Sequence, residues 1–345
     1  MNFNFHKTAC LLAASLLLPL SAQANDKPFS IAIHGGAGTI SKVKLSDEQQ
    51  QAYRDKLKEA IDAGYKVLND GGDSVTAVTT AINILEDSPL FNAGKGAVYT
   101  FDGGHELDAS LMDGNTMNAG AVSGVKHIKN PIDLAKAVMD KSVHVMLSGQ
   151  GAEEFALNQG FTLVPNQYFD TNARYQQLLD AKAKIYNQQQ KGMDYQAAHQ
   201  QLDDNYKFGT VGAVALDKSG NLAAGTSTGG MTAKRFGRIG DSPVIGAGNY
   251  AENGVCAVSA TGHGEYFIRY HVAGDICARA KYGQKSLLQA ADEVINQRLI
   301  TAGGTGGVIA IDHLGNIATP FNTGGMYRAT RKSGEPAQVM IWRDK

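Results

Sequence analysis

Thr210 stands directly behind Gly209 and ahead of the apolar run Val211-Gly-Ala-Val-Ala-Leu216. That placement suits a nucleophile stored inside a precursor chain. A threonine hydroxyl is weakly nucleophilic near neutral pH, but an α-amino group titrates at about 7.7–8.0 and can take its proton. Cutting the Gly209–Thr210 bond would give one residue both groups. Taken alone, the dipeptide reads more simply as the start of a strand. It also has a twin: Gly209 to Asp217, Gly220-Asn221 and Thr228-Gly-Gly-Met231 recur as Gly304 to Asp312, Gly315-Asn316 and Thr323-Gly-Gly-Met326. Context favours Thr210 over Thr305. A polar stretch from about residue 187 to Tyr206 precedes the first, whereas an amphipathic helical pattern and a short loop precede the second.

Other residues could take part in chemistry. Arg238 and Asp241 lie three residues apart between glycines. They read first as a surface salt bridge, but such a pair can also hold the α-carboxylate and α-ammonium of an amino acid. Thr261-Gly262-His263-Gly264 joins a strand pattern to a helix pattern. It is either an ordinary turn or a set of donors for a developing oxyanion. Gly225-Thr-Ser-Thr-Gly229 matches the G-x-S-x-G elbow of serine hydrolases, yet the glycine-rich segment after it is a poor helix, so Ser227 is not expected to be a nucleophile. Asp108 and Asp113 are explained by a hairpin with one polar face. No HExxH, paired CxxC or EF-hand loop occurs, and the nine histidines lack ligand spacing, so no catalytic metal is expected.

These residues need a scaffold. Ile31-Ala-Ile33 leads as a strand into His34-Gly-Gly-Ala-Gly38. Ser46-Asp-Glu-Gln49 resembles a capping box opening a helix that ends at Gly71-Gly72, and Asp73 caps a second helix, Ser74 to Glu86. Strand patterns follow at residues 105–112 and 120–125, with helical spacing at 131–142 and 151–159. The polar stretch from about 187 buries too little to order itself firmly and reads as a flexible tail. Strands are expected at 210–217, 221–228, 243–251 and 254–260, helices at 264–281 and 284–299, and closing strands at 306–312, 316–322 and 338–343. Elements in blocks favour an α+β fold over a doubly wound sheet.

Lys7 precedes the apolar run Ala9 to Leu20, and Ala22-Gln-Ala24 follows, the layout of a secretory signal peptide over residues 1–24. The mature chain would begin at Asn25 in a periplasm or outside the cell, with no membrane attachment after the signal is removed. Net charge is −1 and the basic residues are scattered, which gives no footprint for nucleic acid. Cys256 and Cys277 each sit in apolar surroundings and read as two buried thiols rather than a bridge.

In combination, His34-Gly-Gly-Ala-Gly38, Asn92-Ala-Gly94, Met112-Asp-Gly-Asn-Thr116, Ala119-Gly-Ala-Val122, the segment Gly209 to Asp217, Thr226-Ser-Thr-Gly-Gly-Met231, Gly237-Arg-Ile-Gly-Asp-Ser-Pro243 and Thr261-Gly262 resemble the plant-type L-asparaginases. These are also called isoaspartyl or β-aspartyl peptidases and are N-terminal nucleophile hydrolases. The resemblance covers nearly the whole mature chain. It implies a four-layer αββα sandwich, self-cleavage at Gly209–Thr210 into an α subunit (25–209) and a β subunit (210–345) that form one folded domain, and a dimer of αβ units. It further implies that Thr210 is the nucleophile with Thr228 tuning its hydroxyl, that Arg238 and Asp241 grip the aspartyl moiety, and that Thr261 and Gly262 form the oxyanion hole. Gly264 would line the same pocket and Asn92 would support the centre. No catalytic cofactor is implied. A structural sodium ion would be held by backbone carbonyls of Leu85, Glu86, Ser88, Phe91, Ala93 and Lys95. The substrates implied are isoaspartyl dipeptides and L-asparagine, and glycosylasparaginase is the sibling activity. A periplasmic amino-acid-binding protein is the alternative of another class. His263 departs from the small residue common at its position.

Overall fold

The computed structural model describes Met1 and residues 28–38, 40, 45–200, 202 and 209–343. Apart from Met1, the expected signal peptide lies outside the described residues. Helix α1 (Asp47–Asn69) starts where the capping box places it: the Gln49 amide donates to Ser46 Oγ at 3.2 Å and the Ser46 amide to Gln49 Oε1 at 3.0 Å. Helix α2 (Ser74–Glu86) starts at Asp73, whose carboxylate accepts from the Thr76 amide at 2.7 Å.

The strands form two sheets. The larger runs in the order β12 (Gln338–Met340), β11 (Gly325–Lys332), β1 (Ser30–Gly38), β5 (Val211–Leu216), β6 (Leu222–Thr228), β2 (Leu107–Asp113), β3 (Ala119–Val125), β4 (Met146–Ser148). Among the described strands only the β3–β4 pairing is parallel. The smaller sheet is β10 (Ile317–Ala318), β9 (Gly306–Asp312), β8 (Cys256–Gly262), β7 (Asn249–Glu252). Strand alternation divides the core. Ile31, Ile33, Val211 and Ala213 pack with Leu57, Ile61 and Ile82 of α1 and α2, while Ala32, Val214 and Leu216 pack with Ala257, Ile309 and Ile311 of the other sheet. Val258, Val308 and Ala310 meet the helices Val272–Tyr282 and Leu287–Asp292. Each fully buried Ile or Leu contributes about 1.5–3 kcal/mol. The result is α+β: two sheets flanked by helices. Among the described residues no helix is long and apolar enough to cross a membrane.

Several elements differ from expectation. The polar stretch from about 187 contains helices within its described residues: α5 (Asn172–Gln190) runs through its beginning and α6 (Tyr195–Gln200) follows, while most of its end lies outside the described residues. A few apolar anchors suffice to dock it, since Leu178, Ala181, Ile185, Ala198 and Leu202 cluster with Tyr99 and Ala233. The helix expected over 264–281 breaks at His271, whose φ is 51°, because the Gly274 amide bonds to the Gly246 carbonyl across the chain instead of back along the helix. The strand expected over 243–251 shrinks to β7. β11, rich in basic residues and not anticipated, is the long antiparallel neighbour of β1. Cys256 and Cys277 form a disulfide rather than two thiols: the helix Val272–Tyr282 crosses β8 so that their Cα atoms stand 5.8 Å apart.

Candidate active site

β5 and β6 are antiparallel neighbours, with Val211 opposite Ser227, so the residues just outside that pair, Thr210 and Thr228, are brought together. Thr210 Oγ1 donates to Thr228 Oγ1 at 3.2 Å, and Thr228 Oγ1 donates to the carbonyl of Gly209, also at 3.2 Å. The Gly230 amide donates to Thr228 Oγ1 at 3.0 Å and orients it. One hydroxyl thus connects the candidate nucleophile to the carbonyl it would attack. The twin lacks this connection, because Thr323 donates to the Gly325 carbonyl instead. Ser227 points the other way, fully buried, and donates to Glu86 Oε1 at 2.6 Å; no exposed elbow exists there.

Gly209 has φ +141°, and a β-carbon on it would lie 2.9 Å from Asn92 Cβ, so glycine meets both a backbone and a space requirement. Asn92 is buried and bonded through both ends of its side-chain amide. Its Nδ2 donates to the Gly230 carbonyl at 2.7 Å, its Oδ1 accepts from the Val98 amide at 2.9 Å, and its carbonyl accepts from the Gly229 amide at 3.2 Å. It ties the loop after α2 to the end of β6.

The β1 segment supplies contacts that residue types alone did not suggest. The register shifts between His34 and Gly36, and Gly36 faces the Gly209–Thr210 bond, 3.4 Å separating its ideal Cβ position from the Thr210 nitrogen. His34 Nδ1 is 2.9 Å from the Thr210 carbonyl and Nε2 is 2.9 Å from Ser259 Oγ. Burial drives the His34 pKa down to about 3 against that carbonyl bond, so the ring is neutral, Nδ1–H donates to Thr210, and Nε2 accepts from Ser259. Ala37, three residues beyond His34, donates its amide to Thr261 Oγ1 at 3.2 Å. Thr261 is fully buried near the end of β8, and after accepting this bond its hydroxyl keeps an O–H donor.

Gly262 ends β8 and Gly264 opens the helix Gly264–Tyr270. A β-carbon at Gly264 would fall 2.9 Å from Arg238 Nη2 and 2.9 Å from Asp241 Oδ1, so these three residues line one space. Arg238 and Asp241 are not a surface pair. Asp241 is 4% exposed, its Oδ2 has no hydrogen-bond partner, and burial pushes its pKa up to about 7 against the pull of Arg238. Arg238 instead forms a two-pronged bond with Glu265, 3.1 Å at Nε and 3.1 Å at Nη2. Glu265 was not picked out in the sequence, although its place next to Gly264 was a signal. Of the hairpin carboxylates, Asp113 holds the turn through Asn115 and Thr116, whereas Asp108 is buried and accepts from the Gly124 amide at 2.9 Å. Burial raises its pKa, opposed by Lys234.

Among the described residues no cluster of His, Cys, Asp or Glu suits a metal ion. The loop from Leu85 to Lys95 offers carbonyls instead. Gly94 packs against the Glu86 carbonyl, and Gly96 against those of Phe91 and Pro89. Lys95 turns its ammonium away to the Tyr168 carbonyl. Backbone oxygens are the ligand type that hard cations take.

An asparaginase family model matches residues 27–341. Isoaspartyl peptidase of Salmonella typhimurium is 52% identical over 314 residues, covering 91% of this chain and 98% of the relative. Isoaspartyl peptidase of Escherichia coli is 51% identical, covering 91% and 96%, and isoaspartyl peptidase/L-asparaginase of Xenopus laevis is 41% identical, covering 88% and 93%. With the family model and these relatives matched almost end to end, this chain belongs to the asparaginase family.

Proposed function

We propose that the protein is an isoaspartyl peptidase with L-asparaginase activity that cuts itself at Gly209–Thr210 and then uses Thr210 as its nucleophile. The observation that carries this is the Thr228 hydroxyl, which accepts from Thr210 Oγ1 and donates to the Gly209 carbonyl. In the precursor, Thr210 Oγ1 attacks the Gly209 carbonyl carbon, its proton passes to the Thr210 nitrogen as the peptide C–N bond breaks, and water hydrolyses the resulting ester. Gly209 leaves as a carboxylate and Thr210 gains its α-amino group. On substrate, that amine takes the Thr210 hydroxyl proton as Oγ1 attacks the aspartyl side-chain carbonyl, then passes it to the departing amine. The Thr261 hydroxyl and Gly262 amide receive the oxyanion, a type of contact worth roughly 3–4 kcal/mol. Water then releases L-aspartate from the acyl-enzyme.

Arg238 binds the aspartyl α-carboxylate, and the unpartnered Asp241 Oδ2 accepts from the α-ammonium. Gly264 keeps the space between them open. Asn92 holds Gly229 and Gly230 so that Thr228 is fixed. A sodium ion on the carbonyls of Leu85, Glu86, Ser88, Phe91, Ala93 and Lys95 would steady the loop that carries Asn92; it takes no part in the bond changes. The two sheets and flanking helices are read as the αββα sandwich of the N-terminal nucleophile hydrolases, with the α and β chains paired into a dimer of αβ units in the periplasm or outside the cell.

Intact mass and N-terminal sequencing of the purified protein test the proposal. A fragment running from Thr210 to Lys345 is expected, and none in Thr210→Ala. A single uncut chain with full activity would sink it.

A further inference from the structure

A cleft of about 920 Å³ runs from Arg238 to Thr305. Thr305 abuts the oxyanion side of the site, since its carbonyl accepts from the His263 amide at 2.9 Å and would lie 2.5 Å from a β-carbon on Gly262. The cleft is therefore the space open to atoms beyond the cut bond. Asparagine, which loses only ammonia, has no group to put there, whereas a β-aspartyl dipeptide places a whole amino acid in it.

The charge of this cleft is lopsided. Lys234, Arg235, Arg238 and Arg269 border it, against one carboxylate, Glu265. Two of the four cations are balanced locally: Arg238 by Glu265, and buried Lys234 by the Coulombic pull of Asp108 and Glu106. The other two are held differently. The Arg235 guanidinium lies over the rings of Phe101 at 4.6 Å, Phe236 at 5.0 Å and Tyr195 at 5.1 Å. Arg269 donates Nε to the Glu265 backbone carbonyl at 3.0 Å and lies 4.6 Å from the Tyr266 ring centre. Among the described residues neither forms an ion pair with a carboxylate. Ring contact uses the face of a guanidinium and leaves N–H groups on its edge for a planar anion.

We infer that Arg235 and Arg269 form a leaving-group subsite that selects β-aspartyl dipeptides whose released residue is acidic. Such a residue carries two carboxylates, one on its backbone and one on its side chain, to set against two guanidinium groups. The inference rests on the isoaspartyl peptidase reading and narrows it.

The test compares kcat/KM for β-aspartyl-glutamate, β-aspartyl-glutamine and β-aspartyl-lysine on processed enzyme at low ionic strength. Glutamate should exceed glutamine by roughly fivefold or more, mainly through KM, with lysine below both. Added salt should shrink the difference. In the double variant Arg235→Gln, Arg269→Gln the glutamate-to-glutamine ratio should fall to near one. That ratio is internal to each preparation, so it does not depend on the fraction of protein folded. Equal efficiency on all three dipeptides, or an unchanged ratio in the variant, overturns the subsite alone. Turnover of none of them by the processed enzyme overturns the peptidase reading and the subsite with it.

Discussion

The hydroxyl of Thr228 lies 3.2 Å from that of Thr210, and its own proton points to the carbonyl of Gly209. The contact exists because β5 and β6 are antiparallel neighbours whose ends come level at the Gly209–Thr210 bond. Thr228→Ala should slow appearance of the Thr210-led fragment by about 10²-fold, the usual cost of losing one oriented donor at a reacting carbonyl. Thr228→Ser should keep most of the rate. A gel time course of freshly folded precursor reads both, and equal rates for the alanine variant and the natural protein would contradict the role.

Asp241 ties pH to both binding and stability. Burial raises its pKa to about 7, and under the proposed function the ionised form would accept from a substrate ammonium. The kcat/KM profile for a β-aspartyl dipeptide should therefore rise with pH through about 7. For stability the sign is the reverse. The native state holds this proton more tightly than the unfolded chain, so the contribution is present below the ordinary 3.8 and is lost as pH rises to about 7. Asp241→Asn should abolish hydrolysis yet raise the melting temperature at pH 8, and a variant less stable at that pH would count against the assignment.

Glu86 is fully buried, its pKa pushed up to about 8 by burial against the bond from Ser227. Its Oε1 accepts from Ser227 Oγ at 2.6 Å and from the Ile132 amide at 3.1 Å at the start of the helix Pro131–Lys141. Glu86→Gln keeps an acceptor in place and should be neutral or stabilising in urea unfolding at pH 8. Glu86→Ala strands two donors and opens a cavity, costing about 2–4 kcal/mol. Similar losses for both variants would show that the carboxyl acts in its charged form.

The Cys256–Cys277 disulfide links β8, which carries Thr261 near its end, to a helix behind the small sheet, with a sequence separation of 21. Replacing both cysteines by alanine should lower unfolding stability by about 3 kcal/mol. Denaturant curves with and without reductant give the same comparison in the natural protein. Coincident curves would mean that the bond adds nothing.

Much of the site was legible because it lies in short segments whose residue types imply their use. Thr210, Thr228, Arg238, Asp241, Thr261 and Gly264 occupy one neighbourhood, reached through Gly36, Ala37 and the turn after β8. The capping box at Ser46 and the cap at Asp73 were readable because they are satisfied within three or four residues. What could not be read depends on distant partners. β11 is a strand because β1 pairs with it, and the polar run from 187 to 200 docks because Leu178, Ala198 and Ala233 meet.

The sequence by itself determined the reacting residue types, their order along the chain and the family to which they belong. It could not separate Thr210 from Thr305 except by context, since both begin the same strand-and-turn pattern. Tertiary structure sets their surroundings apart: the Thr228 hydroxyl meets that of Thr210, while Thr323 donates to the Gly325 carbonyl. It also buried Asp241 and left Arg238 partly covered where local reading put both at the surface, and it brought Cys256 and Cys277 within bonding distance. Hydrogen bonds and charge pairs act over a few ångströms in space, and spacing along a chain measures that distance only inside a single turn, helix or hairpin.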